Sequence, residues 1–155
     1  AWTVRPGFEE ESNPWSVVIE EGVTDLERDI VIDRFLGVPR ARSPEPGGVV
    51  VGGHMEWEAV GETPDFSLAT LAIPGGLMPI PYWTIVLRGG ETAYDLPDLA
   101  ALAGMPEDPT TEVVWQVWSF SVSGFDFDTW SYRYLSNAYW SAYAVDGWYV
   151  RLRDE

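Results

Sequence analysis

The chain has no cysteine and no lysine, and its one histidine is His54. Without cysteine there is no disulfide, no thiolate zinc site, no cysteine nucleophile and no lipid-bearing cysteine. A lone histidine supports neither a histidine metal cluster nor a Ser–His–Asp triad. No HExxH, GxSxG, GxGxxG or phosphate-loop pattern occurs. No apolar run approaches the roughly 18 residues of a membrane span. Basic residues are scarce: nine arginines stand against 25 acids, for a formal charge of −16, and between Arg88 and Arg133 there is no basic residue against eight acids. Polyanion-binding surfaces need clustered Lys and Arg, so nucleic acid and an anionic membrane surface are excluded as expected partners. The acidity is left to solubility, calcium or a cationic partner. The opening Ala1-Trp2-Thr3 shows no signal-peptide pattern and is the start expected of a processed or excised piece.

Aromatic residues are abundant: nine Trp, seven Tyr and six Phe in 155 residues, enough to fill a large core without disulfides. Twelve Pro and 15 Gly punctuate the chain, leaving few windows for a helix. One short helix is expected at Pro97–Gly104, capped by Asp98. Strand signals are many. Trp15–Glu20, Asp29–Leu36, His54–Val60, Asp65–Ile73, Tyr82–Arg88 and Thr92–Leu96 each carry strand patterning. Glu112–Val122 is apolar on both faces, as for a central strand covered on both sides or at its ends. Tyr139–Leu152 is aromatic-rich, with a hairpin-type dipeptide at Asp146-Gly147. Short strands at spacings of roughly 8–15 residues predict an all-β antiparallel sandwich. A parallel α/β fold is excluded for want of crossover helices. The Pro/Gly-rich stretch from Gly37 to Gly48 suggests a boundary. Residues 1–36 are then an N-terminal strand pair, either the tail of a preceding module or extra strands, and residues 37–155 form the main domain.

Residues 43–152 resemble a fibronectin type III-like β-sandwich, within the immunoglobulin-like group. Ser43-Pro44 and Gly47-Gly48 resemble the opening strand. Met55-Glu56-Trp57 resembles the second strand with its core Trp, and Phe66-Ser67-Leu68 the third. Thr92–Leu99 resembles the strand and leucine-bearing corner before the sixth strand, and Val114–Val122 the sixth. The tyrosine that closes a corner in this group is absent, since that zone reads Glu112-Val113-Val114-Trp115. The resemblance, to modules of secreted proteins and lipoproteins of GC-rich bacteria, implies a non-catalytic extracytoplasmic module for adhesion, spacing or protein contact. It brings no cofactor and no catalytic residues.

One segment resists this scheme. Gly124–Asn137 packs five aromatics and two acids between strands, with no clean period. Phe125, Phe127, Trp130, Tyr132 and Tyr134 are the candidate ligand-binding residues, for a protein or a carbohydrate. Trp130, Tyr132 and Tyr134 alternate, so in an extended chain they share one face, and exposed Trp and Tyr rings stack on sugars and anchor protein interfaces. The opposing expectation is a plug folded over the open end of the sheets. Asp126 and Asp128 project to one side if extended. They are a candidate carboxylate pair for glycoside hydrolysis and a weak calcium candidate, although the EF-hand pattern is absent. Neighbouring modules of the same chain are further expected partners.

Overall fold

A computed structural model describes residues 1–9, 14–75, 79–97 and 112–152. Among these described residues eleven strands follow in chain order: β1 (Trp2–Val4), β2 (Gly7–Glu9), β3 (Trp15–Val18), β4 (Glu20–Val23), β5 (Arg40–Ser43), β6 (His54–Glu58), β7 (Phe66–Ile73), β8 (Ile80–Arg88), β9 (Ala93–Asp95), β10 (Glu112–Val122) and β11 (Trp140–Arg151). All strand pairs are antiparallel. They form a six-stranded sheet in the order β2-β3-β11-β10-β7-β8, a three-stranded sheet β5-β6-β9, and a β1-β4 ribbon. The fold is all-β. Among the described residues the helical elements are three short 3₁₀ turns between β10 and β11. The expected helix Pro97–Gly104 falls on residues outside the described ones, apart from Pro97.

Period-two patterning decides which residues meet. In β6, Met55 and Trp57 are buried while His54 and Glu56 face solvent. Those two side chains join Tyr94 of β9 and pack on Ala69, Leu71, Leu87, Val113, Trp115, Val117 and Val150 of the large sheet. Trp57 meets Trp115 edge-on at 6.4 Å. A buried Trp removes about 150–250 Å² from water, worth about 4–6 kcal/mol at 25 cal/mol/Å². That exceeds the net ~1 kcal/mol of a hydrogen bond, so this ring pair fixes how the two sheets face each other. The same core buries the Tyr82 hydroxyl without a hydrogen-bond partner, and it leaves the Tyr94 hydroxyl and Trp115 Nε1 with no partner but each other, outside good hydrogen-bond geometry. Burial pushes the Tyr82 hydroxyl up to about 12 and the Tyr94 hydroxyl also upward.

As anticipated for a strand covered on both sides, β10 lies inside the large sheet, and its alternate residues enter different clusters. Val113, Trp115 and Val117 belong to the core under the small sheet, whereas Phe120 and Val122, with Trp118 beside them, belong to an aromatic cluster under the β10–β11 connection. A third cluster joins Val18, Ala142 and Ala144 to Leu36, and the Ser16 hydroxyl donates to the Leu36 carbonyl at 2.9 Å.

Three expectations are corrected. The expected Asp29–Leu36 strand is irregular backbone with one isolated bridge, Leu36 to Glu62. The chain there is docked by the buried Leu36 side chain instead of by a ladder. The expected Trp15–Glu20 strand breaks at Ile19. Glu20 begins β4, and β3 adds to β11 through Trp15–Val145 and Val18–Ala142. Lastly, Asp146-Gly147 makes no hairpin. The dipeptide runs through the middle of β11 opposite Val117 and Gln116, because ladder partners on β10 hold it extended and the Asp146 carboxylate is met by its own Gly147 N–H at 2.8 Å.

Candidate functional site: the aromatic connection between β10 and β11

The connection reverses direction at its first step. Gly124 has φ of +70°, a left-handed conformation that costs Gly little. The Phe125 N–H donates back to the Val122 carbonyl at 3.2 Å. This turn throws Phe125 onto the sheet it has just left. Phe125 stacks on Phe66 at 5.1 Å, and Phe66 stacks on Phe120 at 4.9 Å, so a loop ring completes a column begun by two strand rings.

Three short turns then replace the extended chain. Asp126 caps the first, Phe127–Thr129, its carboxylate accepting the Asp128 N–H at 3.0 Å. Arg88, at the end of β8, clamps this turn. Its guanidinium lies 4.4 Å over the Phe127 ring and donates to Asp128 Oδ1 at 2.7 Å. Asp126 and Asp128 therefore do not form a free pair: one caps backbone and the other meets an arginine. No group of three His, Cys, Asp or Glu suited to a metal ion occurs among the described residues. Asp146, whose carboxyl burial pushes above its ordinary range, is held by backbone and by Trp148 within β11.

Trp130 stands edge-on to Phe66 at 4.9 Å and also touches Phe125, Phe127 and Tyr134. The next turn, Tyr132–Leu135, rotates successive side chains by about a third of a turn. Tyr132 and Tyr134 therefore point apart: Tyr134 is 6% exposed and Tyr132 82%. This corrects the expectation that Trp130, Tyr132 and Tyr134 share a face, which assumed extended backbone. Tyr134 is the hub of the loop. It meets Phe125 edge-on at 5.2 Å, its carbonyl accepts the Trp140 indole N–H at 2.8 Å, and its hydroxyl accepts from Arg133 at 2.9 Å. The Arg133 guanidinium also lies 4.8 Å over the Tyr134 ring.

The five candidate rings thus divide. Tyr134 is buried, Phe125, Phe127 and Trp130 are half-buried, and Tyr132 projects. Leu135 and Tyr139 join Tyr132 on the outside, at 36% and 47% exposed. Tyr139 meets Tyr134 edge-on, at 77° between ring planes. Sequence reasoning missed Arg88, Arg133, Leu135 and Tyr139. Arg133 was visible as the one base of the loop, whereas Arg88 lies 40 residues from its partner, and nothing local announces the pair. Compared with known protein families, curated proteins and solved structures, the chain matches none.

Proposed function

We propose that the chain is a non-catalytic contact module, a fibronectin type III-like sandwich that presents the outer side of the β10–β11 connection to a protein partner. The strand order supports the fold reading. Counting from β5, strands one, two and five make one sheet, while three, six and seven neighbour one another in the other. That is the split of immunoglobulin-type sandwiches, with the fourth strand paired to the third in the fibronectin type III manner. The second strand carries the core Trp57, as the resemblance requires. In this reading the module belongs to a secreted or cell-envelope protein of a bacterium and acts outside the cytoplasm.

The observation that carries the contact reading is the division of the loop rings. A frame of packed aromatics holds Tyr132, Leu135 and Tyr139 outward beside Arg133. Tyrosine and arginine on a stiff support are typical of interface hot spots, because little side-chain entropy remains to be lost on binding. A sugar platform asks for coplanar exposed rings. Of the five candidate rings Tyr132 alone is exposed, which favours protein over carbohydrate.

The test is retention on immobilised domain. Cell-envelope and secreted protein fractions are passed over wild type and Tyr132→Ala, and soluble polysaccharides are run against both in retardation gels. A protein retained by wild type and released by the variant, at an unchanged melting temperature, is the expected result. Polysaccharide retardation abolished by the variant, or no difference between the two proteins, overturns the reading.

A further inference from the structure

We infer that the free edge of β8 is a self-association surface, on which a second copy of this chain pairs antiparallel to extend the six-stranded sheet. β8 ends the sheet, and among the described residues no strand lies beyond it. The Gly89 N–H donates to the Asp65 carbonyl at 3.0 Å. Antiparallel ladders alternate between hydrogen-bonded and open pairs. In the Phe66–Arg88 register, Leu87 and Ile85 therefore turn their backbone groups inward to β7, and Arg88, Val86 and Thr84 turn theirs outward. Arg88 confirms the alternation. Its outward N–H donates to Glu91 Oε2 at 3.0 Å, and its carbonyl accepts the Glu91 N–H at 3.1 Å.

The edge is thus blunted at both ends: by the Glu91 cap at Arg88, and by Pro81 and a register irregularity opposite Leu71 and Ala72. Its middle is open. Thr84 is exposed and flanked by Trp83, Ile85 and Val86, and no residue from Ile80 to Leu87 is charged, in a chain with 25 acids. Two copies of charge −16 can approach here without acid facing acid.

The strand is also self-complementary. A two-fold axis at Thr84 sets Thr84 against Thr84, Trp83 against Ile85 and Tyr82 against Val86. Thr–Thr and aromatic–β-branched pairs are the combinations that stabilise antiparallel neighbours. Thr84 already meets Thr70 at 3.3 Å between hydroxyls, so pairing continues a threonine row across the joint sheet. The contact is isologous and closed. An edge of this length falls in the small interface class, under about 1,200 Å², which makes the dimer weak and concentration-dependent. Its charge makes it tighten with salt, as the Debye length falls from about 10 Å at 0.1 M to about 3 Å at 1 M.

Sedimentation of the whole chain across concentration at those two salt levels tests this. The expected result is a monomer–dimer equilibrium that shifts to dimer with concentration and with salt, and slowed deuterium exchange at the Thr84 and Val86 amides in the dimer. Thr84→Lys and Thr84→Glu, at an exposed site the fold tolerates, each place like charges opposite one another and leave monomer. An equimolar mixture of the two restores a heterodimer. Wild type that stays monomeric throughout, a dimer that survives both charged variants, or a mixture that stays monomeric overturns the proposal.

Discussion

Trp130→Ala distinguishes a loop that is part of the core from one that merely lies on it. Truncating a fully buried Trp costs about 3–5 kcal/mol. Trp130 is half-buried, so about half to two-thirds of that is at stake, or about 2–3 kcal/mol. Its loss also removes ring contacts to Phe66, Phe125, Phe127 and Tyr134. In a chain of 155 residues, 1 kcal/mol moves the melting temperature by about 2–4 °C. The variant should then melt about 5–10 °C below wild type. Tyr132→Ala, two residues on and 82% exposed, should stay within about 0.5 kcal/mol of wild type. Paired thermal melts by circular dichroism measure both. Equal shifts in the two variants, or no shift for Trp130→Ala, would refute the division of the loop into packed and projecting rings.

Three further outcomes are expected. A Cβ at Gly37 would overlap the Val60 carbonyl oxygen and lie 2.7 Å from the Val60 nitrogen; Gly37→Ala should therefore lose about 1–3 kcal/mol in urea unfolding, and a neutral variant would show that the two segments do not approach so closely. Tyr82→Phe deletes a buried hydroxyl that has no partner, so it should leave the protein equally stable or more stable by up to about 1–3 kcal/mol, and a clear loss would reveal a hydrogen bond there. The hydrogen bond from His54 to Asp95, 2.8 Å long, raises the imidazole above its ordinary value of about 6.5; because the folded value is the higher one, the stabilisation is complete below the unfolded value and fades as pH rises through the folded one. Proton resonance titration should place the His54 midpoint above about 6.5 in wild type and lower in Asp95→Asn, and an identical midpoint in both would dismiss the pair.

Much of the strand inventory was legible because period-two burial is a local property. Met55 and Trp57 alternate with His54, Glu56 and Glu58, and they do so whatever lies opposite. The doubly apolar β10 announced itself in the same way. Asp146-Gly147 was misjudged because its turn preference is weak against a ladder that runs from Arg151 to Trp140. Asp29–Leu36 was misjudged because an apolar side chain can be buried by docking as well as by pairing.

The candidate site divides along the same line. Composition alone made the chain disulfide-free with rings enough to fill a core, strand patterning made it a β fold, and the lack of cysteine, lysine and more than one histidine removed thiolate and histidine metal clusters, cysteine nucleophiles and the phosphate-loop lysine. Residue types set those limits, and no folding can add a thiol or a lysine. Which rings of Phe125–Tyr134 turn inward was decided only in three dimensions. A left-handed Gly124, three tight turns and Arg88 from 40 residues away rotate neighbouring side chains to opposite sides. That direction depends on backbone angles and long-range partners, which a list of residues in order does not contain.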